Sequence, residues 1–157
     1  MSQFLGKIEC KVDSKGRFLL PTKFFLELSE DGKEANAISL IMRKATALDC
    51  YEIYTEKRFD ELAQLFANKM IQLKKKASVA KFVFYKSVEK VSLDKQKRFS
   101  IPATKRTEFG ADLILVGMND HFQLWDVAKF EKAEELTAEY EEIFDEMFPV
   151  QFSIGQN

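Results

Sequence analysis

One short segment of this chain occurs twice, and that repeat restricts the possible folds more than any other feature. Val12-Asp13-Ser14-Lys15-Gly16-Arg17-Phe18-Leu19-Leu20-Pro21 aligns without gaps on Leu93-Asp94-Lys95-Gln96-Lys97-Arg98-Phe99-Ser100-Ile101-Pro102. Asp, Arg, Phe and Pro coincide, and apolar residues coincide before Asp and before Pro. Farther along, Tyr51-Glu52-Ile53-Tyr54 aligns on Phe122-Gln123-Leu124-Trp125, and Phe59 on Phe130. The shift between copies falls from 81 positions (Val12 to Leu93) to 71 (Tyr51 to Phe122), so the first copy holds about ten extra residues between its shared segments. Any fold for this chain has to accommodate two versions of one small unit.

Each version reads the same way. Apolar residues at period two (Phe4, Ile8, Cys10 and Val12; Val83, Tyr85, Val91 and Leu93, with interruptions) predict a strand that runs into an Asp-x-x-x-Arg turn and returns as Phe-x-apolar-Pro, a β-hairpin. Pro21 and Pro102 end the returning strand, because proline has no N–H for a ladder, and the residues after them suit short helical turns over 22–28 and 103–109. A second strand pair follows in each copy, 37–43 with 50–54 and 113–117 with 122–125, and Asn119-Asp120 suits the tight turn between the latter two.

Thr55 and Asp126 stand where a helix N-cap would accept a backbone N–H. Helical spacing of apolar residues then predicts an amphipathic helix over 55–76 and a second, acidic one over 127–148. The modules are thus expected at 7–54 and 83–126, with the boundary between copies at 76–80. Lys74-Lys75-Lys76 closes the first helix, where cations suit the helix dipole as well as they would suit a polyanion. About 50 residues of strands bury little core alone. The expected fold is α+β: two tandem hairpin modules interlocked about a pseudo-twofold axis into one barrel, flanked by amphipathic helices.

The formal net charge of −1 conceals a division along the chain. Residues 1–110 carry 22 Lys and Arg against 14 Asp and Glu, whereas residues 111–157 carry 2 against 11. Glu131, Glu134, Glu135, Glu139, Glu141, Glu142, Asp145 and Glu146 all fall on the second helix and would repel a polyanion, so that helix is expected to face away from any nucleic acid. The opening MSQFLGKIECKV lacks a signal peptide's basic start and apolar run, and no stretch reaches the ~20 apolar residues of a membrane span, so a cytoplasmic location without membrane contact is expected. Cys10 and Cys50 have no metal-ligand spacing and read as small, reduced hydrophobes.

The repeated turn carries the chemistry. In DSKGR, Asp13 can accept a backbone N–H about two residues ahead, and Gly16 can take the positive φ that a reversal needs. Lys15 and Arg17 are then held at a rigid tip, where a cation loses little freedom on meeting a phosphate and an arginine fork can take a guanine edge. DKQKR offers Asp94, Lys95, Lys97 and Arg98 in the same way. Two such turns about a pseudo-twofold present a paired basic surface suited to a duplex. The competing reading is that Asp13 with Arg17, and Asp94 with Arg98, only brace their own hairpins.

The combination FLGKIECKVDSKGRFLLPTKF, VEKVSLDKQKRFSIPATKR and LILVGMNDHFQLWDVAKFEK resembles the MraZ family, a two-repeat branch of the AbrB-like swapped-hairpin DNA-binding proteins, over the chain to about residue 133. The resemblance implies a nucleoid-associated transcriptional regulator that binds short direct repeats of double-stranded DNA upstream of the division and cell-wall gene cluster and assembles into homo-oligomeric rings. It carries DNA contact to Lys15, Arg17 and Arg98; Lys95 and Lys97 are added on charge. The chain departs from the family pattern at Lys97, where glycine is usual. No cofactor or metal is expected, nor is an enzyme: the one histidine, His121, reads as an exposed turn residue, and no phosphate loop or nucleophile motif occurs. An oligomeric assembly module without DNA is the alternative.

Overall fold

The computed structural model describes residues 3–29 and 38–148, so the expected strand start at Ala37 and the tail from 149 lie outside the described residues. Among the described residues eight strands and five α-helices follow in order: β1 (Lys7–Lys11), β2 (Arg17–Leu19), α1 (Thr22–Ser29), β3 (Ser39–Lys44), β4 (Tyr51–Thr55), α2 (Glu56–Gln72), α3 (Ala77–Tyr85), β5 (Glu89–Ser92), β6 (Arg98–Ser100), a 3₁₀ helix (Ala103–Glu108), β7 (Asp112–Gly117), β8 (Phe122–Asp126), α4 (Val127–Leu136) and α5 (Ala138–Met147). The α+β class and the second strand pair of each copy agree with the sequence reading.

The pairing differs from simple hairpins. Six strands form an antiparallel sheet in the order β1-β7-β8-β4-β3-β5, and β2 with β6 forms a separate two-stranded ribbon. Each first strand thus lies on the other copy, β1 on β7 and β5 on β3. After the turn the chain makes one bond back, Asp13 N–H to Arg17 O at 2.8 Å, and then the returning strand leaves to pair across the repeat. The reason lies in the apolar residue that follows each arginine. Pairing β2 with β6 sets Phe18 opposite Phe99 and stacks the two buried rings at 4.9 Å. Phe18 and Phe99 are equivalent in the repeat, as are Glu52 and Gln123, which face each other where β4 meets β8. Both central ladders are therefore centred on equivalent pairs, which places the local twofold through them. The large sheet ends at β1 and β5, so among the described residues no closed barrel forms; the expectation of one is corrected to an open sheet capped by a ribbon.

Period-two alternation assigns the two faces of the sheet. Leu40, Met42, Tyr51, Ile53, Leu113, Leu115, Phe122 and Leu124 point to one side and form the main core with Phe18, Phe99, Leu20, Ile101 and Phe24. Ile41 and Tyr54 point to the other and pack on Phe59 and Phe84 of α2 and α3. Ile114 and Trp125 do the same with Phe130 and Ala133 of α4. The molecule is layered accordingly: ribbon, sheet, helices. Cys50 is buried against Ile114 and Trp125, and burial pushes its thiol up to about 12, consistent with a hydrophobe that does not react.

The helical segments differ from expectation at four points. Val83 and Tyr85 lie in α3, not in a strand, because Phe84 inserts between Phe59 (5.4 Å) and Phe66 (4.8 Å) of α2 and the Arg43 guanidinium covers it at 4.9 Å. The second module's strand therefore begins at Glu89. The lysine run is the bend between α2 and α3: Lys74 takes φ 55° and the Lys75 N–H reaches back to Met70 O at 3.0 Å. The acidic helix is two helices broken at Thr137, whose hydroxyl donates to Ala133 O at 2.7 Å and bends the chain. Thr55 caps α2 as expected, accepting the Arg58 N–H at 3.1 Å, but Asp126 does not cap α4 and instead accepts the Gly110 N–H at 2.7 Å.

Because Phe99 is fully buried at the centre of the ribbon, Phe99→Ala should destabilise the protein by ~3–5 kcal/mol, measured by urea denaturation, and Phe18→Ala by a similar amount.

Candidate nucleic-acid interface

The two turns have one geometry. Asp13 Oδ1 accepts the backbone N–H groups of Lys15 and Arg17, each at 2.9 Å, while Oδ2 accepts Arg17 Nε–H at 2.9 Å. Asp94 repeats this with Gln96 (2.8 Å), Arg98 N–H (2.9 Å) and Arg98 Nε–H (2.7 Å). One carboxylate thus ties three donors, which fixes both the loop and the root of its arginine. The Arg17 and Arg98 N–H groups, followed by the other donors, hold the Asp13 and Asp94 carboxyls below the usual carboxylate range. The ion pairs of the competing reading are therefore formed, and they leave the terminal nitrogens of each guanidinium without another carboxylate among the described residues. A bracing role and a binding role are compatible in one arginine.

The ribbon aims these groups. Phe18 and Phe99 point into the core, so their neighbours Arg17, Leu19, Arg98 and Ser100 share the outer face. Arg17 pairs in register with Ser100 and Arg98 with Leu19, which puts one turn at each side of the ribbon and leaves Leu19 63 % exposed between the two arginines. Lys15 and Lys95 are exposed at the turn tips. Of the positions singled out from the sequence, Asp13, Lys15, Lys95 and Lys97 are exposed, Arg17, Asp94 and Arg98 are half-buried beside them, and Gly16 is buried against the Arg106 side chain.

Lys97 keeps the geometry of Gly16, its equivalent in the first turn. Its φ is 65° against 77° at Gly16, and its N–H donates to Asp94 O as that of Gly16 does to Asp13 O. The surroundings differ. Lys97 Nζ lies 4.4 Å from the centre of the Phe25 ring, whereas the Arg106 side chain lies across Gly16, where a Cβ would stand 2.5 Å from Nε. Arg106 is 90 positions from Gly16 and no motif joins them. Only the repeat alignment, which matches Arg106 with Phe25, offered a signal, and it needed the strand exchange to be read.

His121 is not an exposed turn residue. Its ring stacks on Tyr54 at 4.6 Å, its Nδ1 lies 2.7 Å from Asp120 Oδ1, and its Nε2 lies 3.9 Å from Glu52. Asp120 also accepts Arg58 Nε–H at 2.9 Å, which fastens the β7–β8 turn of one copy to α2 of the other. These groups lie among the helices, on the side of the sheet away from the ribbon. Among the described residues no cluster of His, Cys, Asp and Glu could hold a metal ion, and no helix is long and apolar enough to cross a membrane.

The family described as "MraZ protein, putative antitoxin-like" matches residues 3–81 and 84–150. The chain belongs to the MraZ family. Among MraZ proteins, one from Phocaeicola vulgatus is 31 % identical over 125 residues, covering 78 % of this chain and 79 % of its own. One from Pediococcus pentosaceus is 32 % identical over 151 residues, covering 92 % and 93 %. A third, from Bacteroides fragilis, is 30 % identical over 134 residues, covering 84 % and 82 %. All three carry the name Transcriptional regulator MraZ.

A carboxyl held below its unfolded value of ~3.9 stabilises its turn above that pH and loses the effect as pH falls through the lowered folded value. The protection of the Lys15, Arg17, Gln96 and Arg98 amides against hydrogen exchange, relative to their intrinsic rates, should therefore hold down to about pH 4 and fall below it. Asp13→Asn, which cannot titrate, should remove this acid step at the first turn only, as followed by NMR.

Proposed function

We propose that this chain is a DNA-binding transcriptional regulator, without enzymatic activity or cofactor, that applies the outer face of its β2/β6 ribbon to duplex DNA. The observation that carries this reading is the pair of matching Asp-tied turns, which flank one ribbon and offer Arg17 and Arg98 across it. A two-stranded ribbon fits the major groove, where an arginine fork can take guanine, and the tip lysines would reach phosphates. The relatives' common name supports the same reading. Charge supports it too: α4, with Glu131, Glu134 and Glu135, packs on the opposite face of the sheet, so the core separates its carboxylates from the ribbon. The targets would be short direct repeats upstream of the division and cell-wall genes, met in the cytoplasm at the nucleoid.

Copies of the chain, in this reading, assemble head to tail into a ring. Tyr140, Ile143, Phe144 and Met147 recur at helical spacing on α5 and are all exposed, beside Glu139, Glu141 and Glu142. The α2–α3 pair exposes Leu65, Ile71, Val79 and Phe82 beside Lys74, Lys75, Lys76 and Lys81. These faces are unlike and opposite in charge, and unlike faces that meet close into rings when the rotation permits. Phe144→Asp and Phe82→Asp should each lower the mass seen by light scattering at micromolar concentration; a wild type that is strictly monomeric overturns the ring.

Duplex affinity measured against salt tests the interface. Wild type should lose affinity steeply as salt rises, by counterion release. Arg17→Ala should melt as wild type but bind more weakly, by roughly 1–3 kcal/mol with relaxed specificity if it contacts a base, or with a salt slope smaller by about one if it contacts phosphate. Arg98→Ala should behave alike. Normal melting with wild-type binding in both variants would assign the turns to structure alone, and no duplex binding at any salt would leave the assembly module as the function.

A further inference from the structure

We propose that Arg106, contributed by the 3₁₀ helix of the second copy, is a DNA-contacting residue of the first turn, and that Lys97 occupies the same role at the second. The inference rests on the reading of the ribbon as a DNA interface and extends it to a residue outside either repeated motif. In the repeat, Gly16 is equivalent to Lys97 and Phe25 to Arg106. The strand exchange brings each of these residues onto the turn of the opposite copy: Arg106 lies on Gly16, and Phe25 lies under Lys97. Each turn therefore has its motif arginine, its tip lysine (Lys15 or Lys95) and one further cation. At the second turn that cation belongs to the turn itself. At the first turn Gly16 has no side chain, and the cation arrives from the other copy.

The state of Arg106 suits this role. Its side chain is exposed, and its Nε–H donates to Ile101 O at 2.9 Å. Ile101 N–H in turn donates to Gly16 O at 2.8 Å, so one residue anchors both the arginine and the turn on which it lies. Arg17 and Arg98 each give Nε–H to their own aspartate, whereas no carboxylate among the described residues lies within ion-pair distance of Arg106. An anchored cation without a counter-charge, beside a basic turn tip, loses little freedom and no internal ion pair on meeting a phosphate. The two positions are also exclusive: a side chain at Gly16 would collide with Arg106, which explains why one turn combines glycine with arginine and the other lysine with phenylalanine.

The test measures affinity for a labelled duplex from upstream of the chain's own gene, across a salt series, with thermal melting as the folding control. Arg106→Gln should weaken binding roughly five- to tenfold at ~0.1 M salt and reduce the salt slope by about one, and Arg106→Lys should restore most of the loss. Arg106→Phe should bind as weakly as Arg106→Gln. Adding Gly16→Lys to Arg106→Phe installs the second turn's pair at the first and should recover wild-type binding. If Arg17→Ala weakens binding while Arg106→Gln and Arg106→Phe bind with wild-type affinity and slope, Arg106 is a packing residue and the proposal is overturned, with the interface intact. If Arg17→Ala and Arg98→Ala also bind as wild type, the interface itself falls. Should Arg106→Gln melt early, the double variant decides: folded with wild-type affinity upholds the proposal, folded with weak binding overturns it.

Discussion

Stacking of Phe18 on Phe99 across the local twofold governs the arrangement of everything else. Each ring follows its arginine by one position, so burying the ring in a shared core obliges the arginine to face outward. Neither copy could bury its phenylalanine within a hairpin of its own strands, because a two-stranded hairpin has no second layer to cover an apolar face. Exchange of strands supplies that layer: the ribbon closes over a sheet to which both copies contribute, with β1 on β7 and β5 on β3. Core formation and presentation of the arginines are consequently one event, and a change that loosens the core would disturb the surface it carries.

The turns gain their rigidity locally. An aspartate that accepts two backbone N–H groups and the Nε–H of its own arginine needs nothing from the rest of the fold, which is why the same set of bonds recurs at Asp13 and Asp94 despite different sequences between them. Lys97 shows how strong that set is. A residue with a Cβ adopts φ 65° in a place suited to glycine, held by the aspartate's bonds and by the face of Phe25. The two turns are thus alike in backbone and different in the source of one side chain.

Charge is separated by the layers. The ribbon and its turns hold exposed cations, α4 holds carboxylates, and the sheet lies between them. On the helical side, acidic groups near the sheet are taken up in specific pairs, such as Asp120 with Arg58 and His121, and Asp49 with Lys44. A chain of nearly neutral net charge can in this way present one strongly basic surface.

By itself the sequence determined the repeat, the two Asp-x-x-x-Arg turns, the prolines that end β2 and β6, the strand pairs after them and the Thr55 cap. All of these depend on residues a few positions apart, where spacing and side-chain type suffice. It did not determine which strand pairs with which, since β1 and β2 have the alternation of an ordinary hairpin and only burial of Phe18 against Phe99 selects the exchange. For the same reason Val83 and Tyr85 read as strand until α2 offers Phe84 a place between Phe59 and Phe66, and the acidic segment reads as one helix although Thr137 breaks it. The location of Arg106 against Gly16 is the extreme case, because a contact between positions 90 residues apart exists only once the two copies have exchanged strands. Local bonds are written in local sequence; the choice among partners is made by what the whole chain can bury.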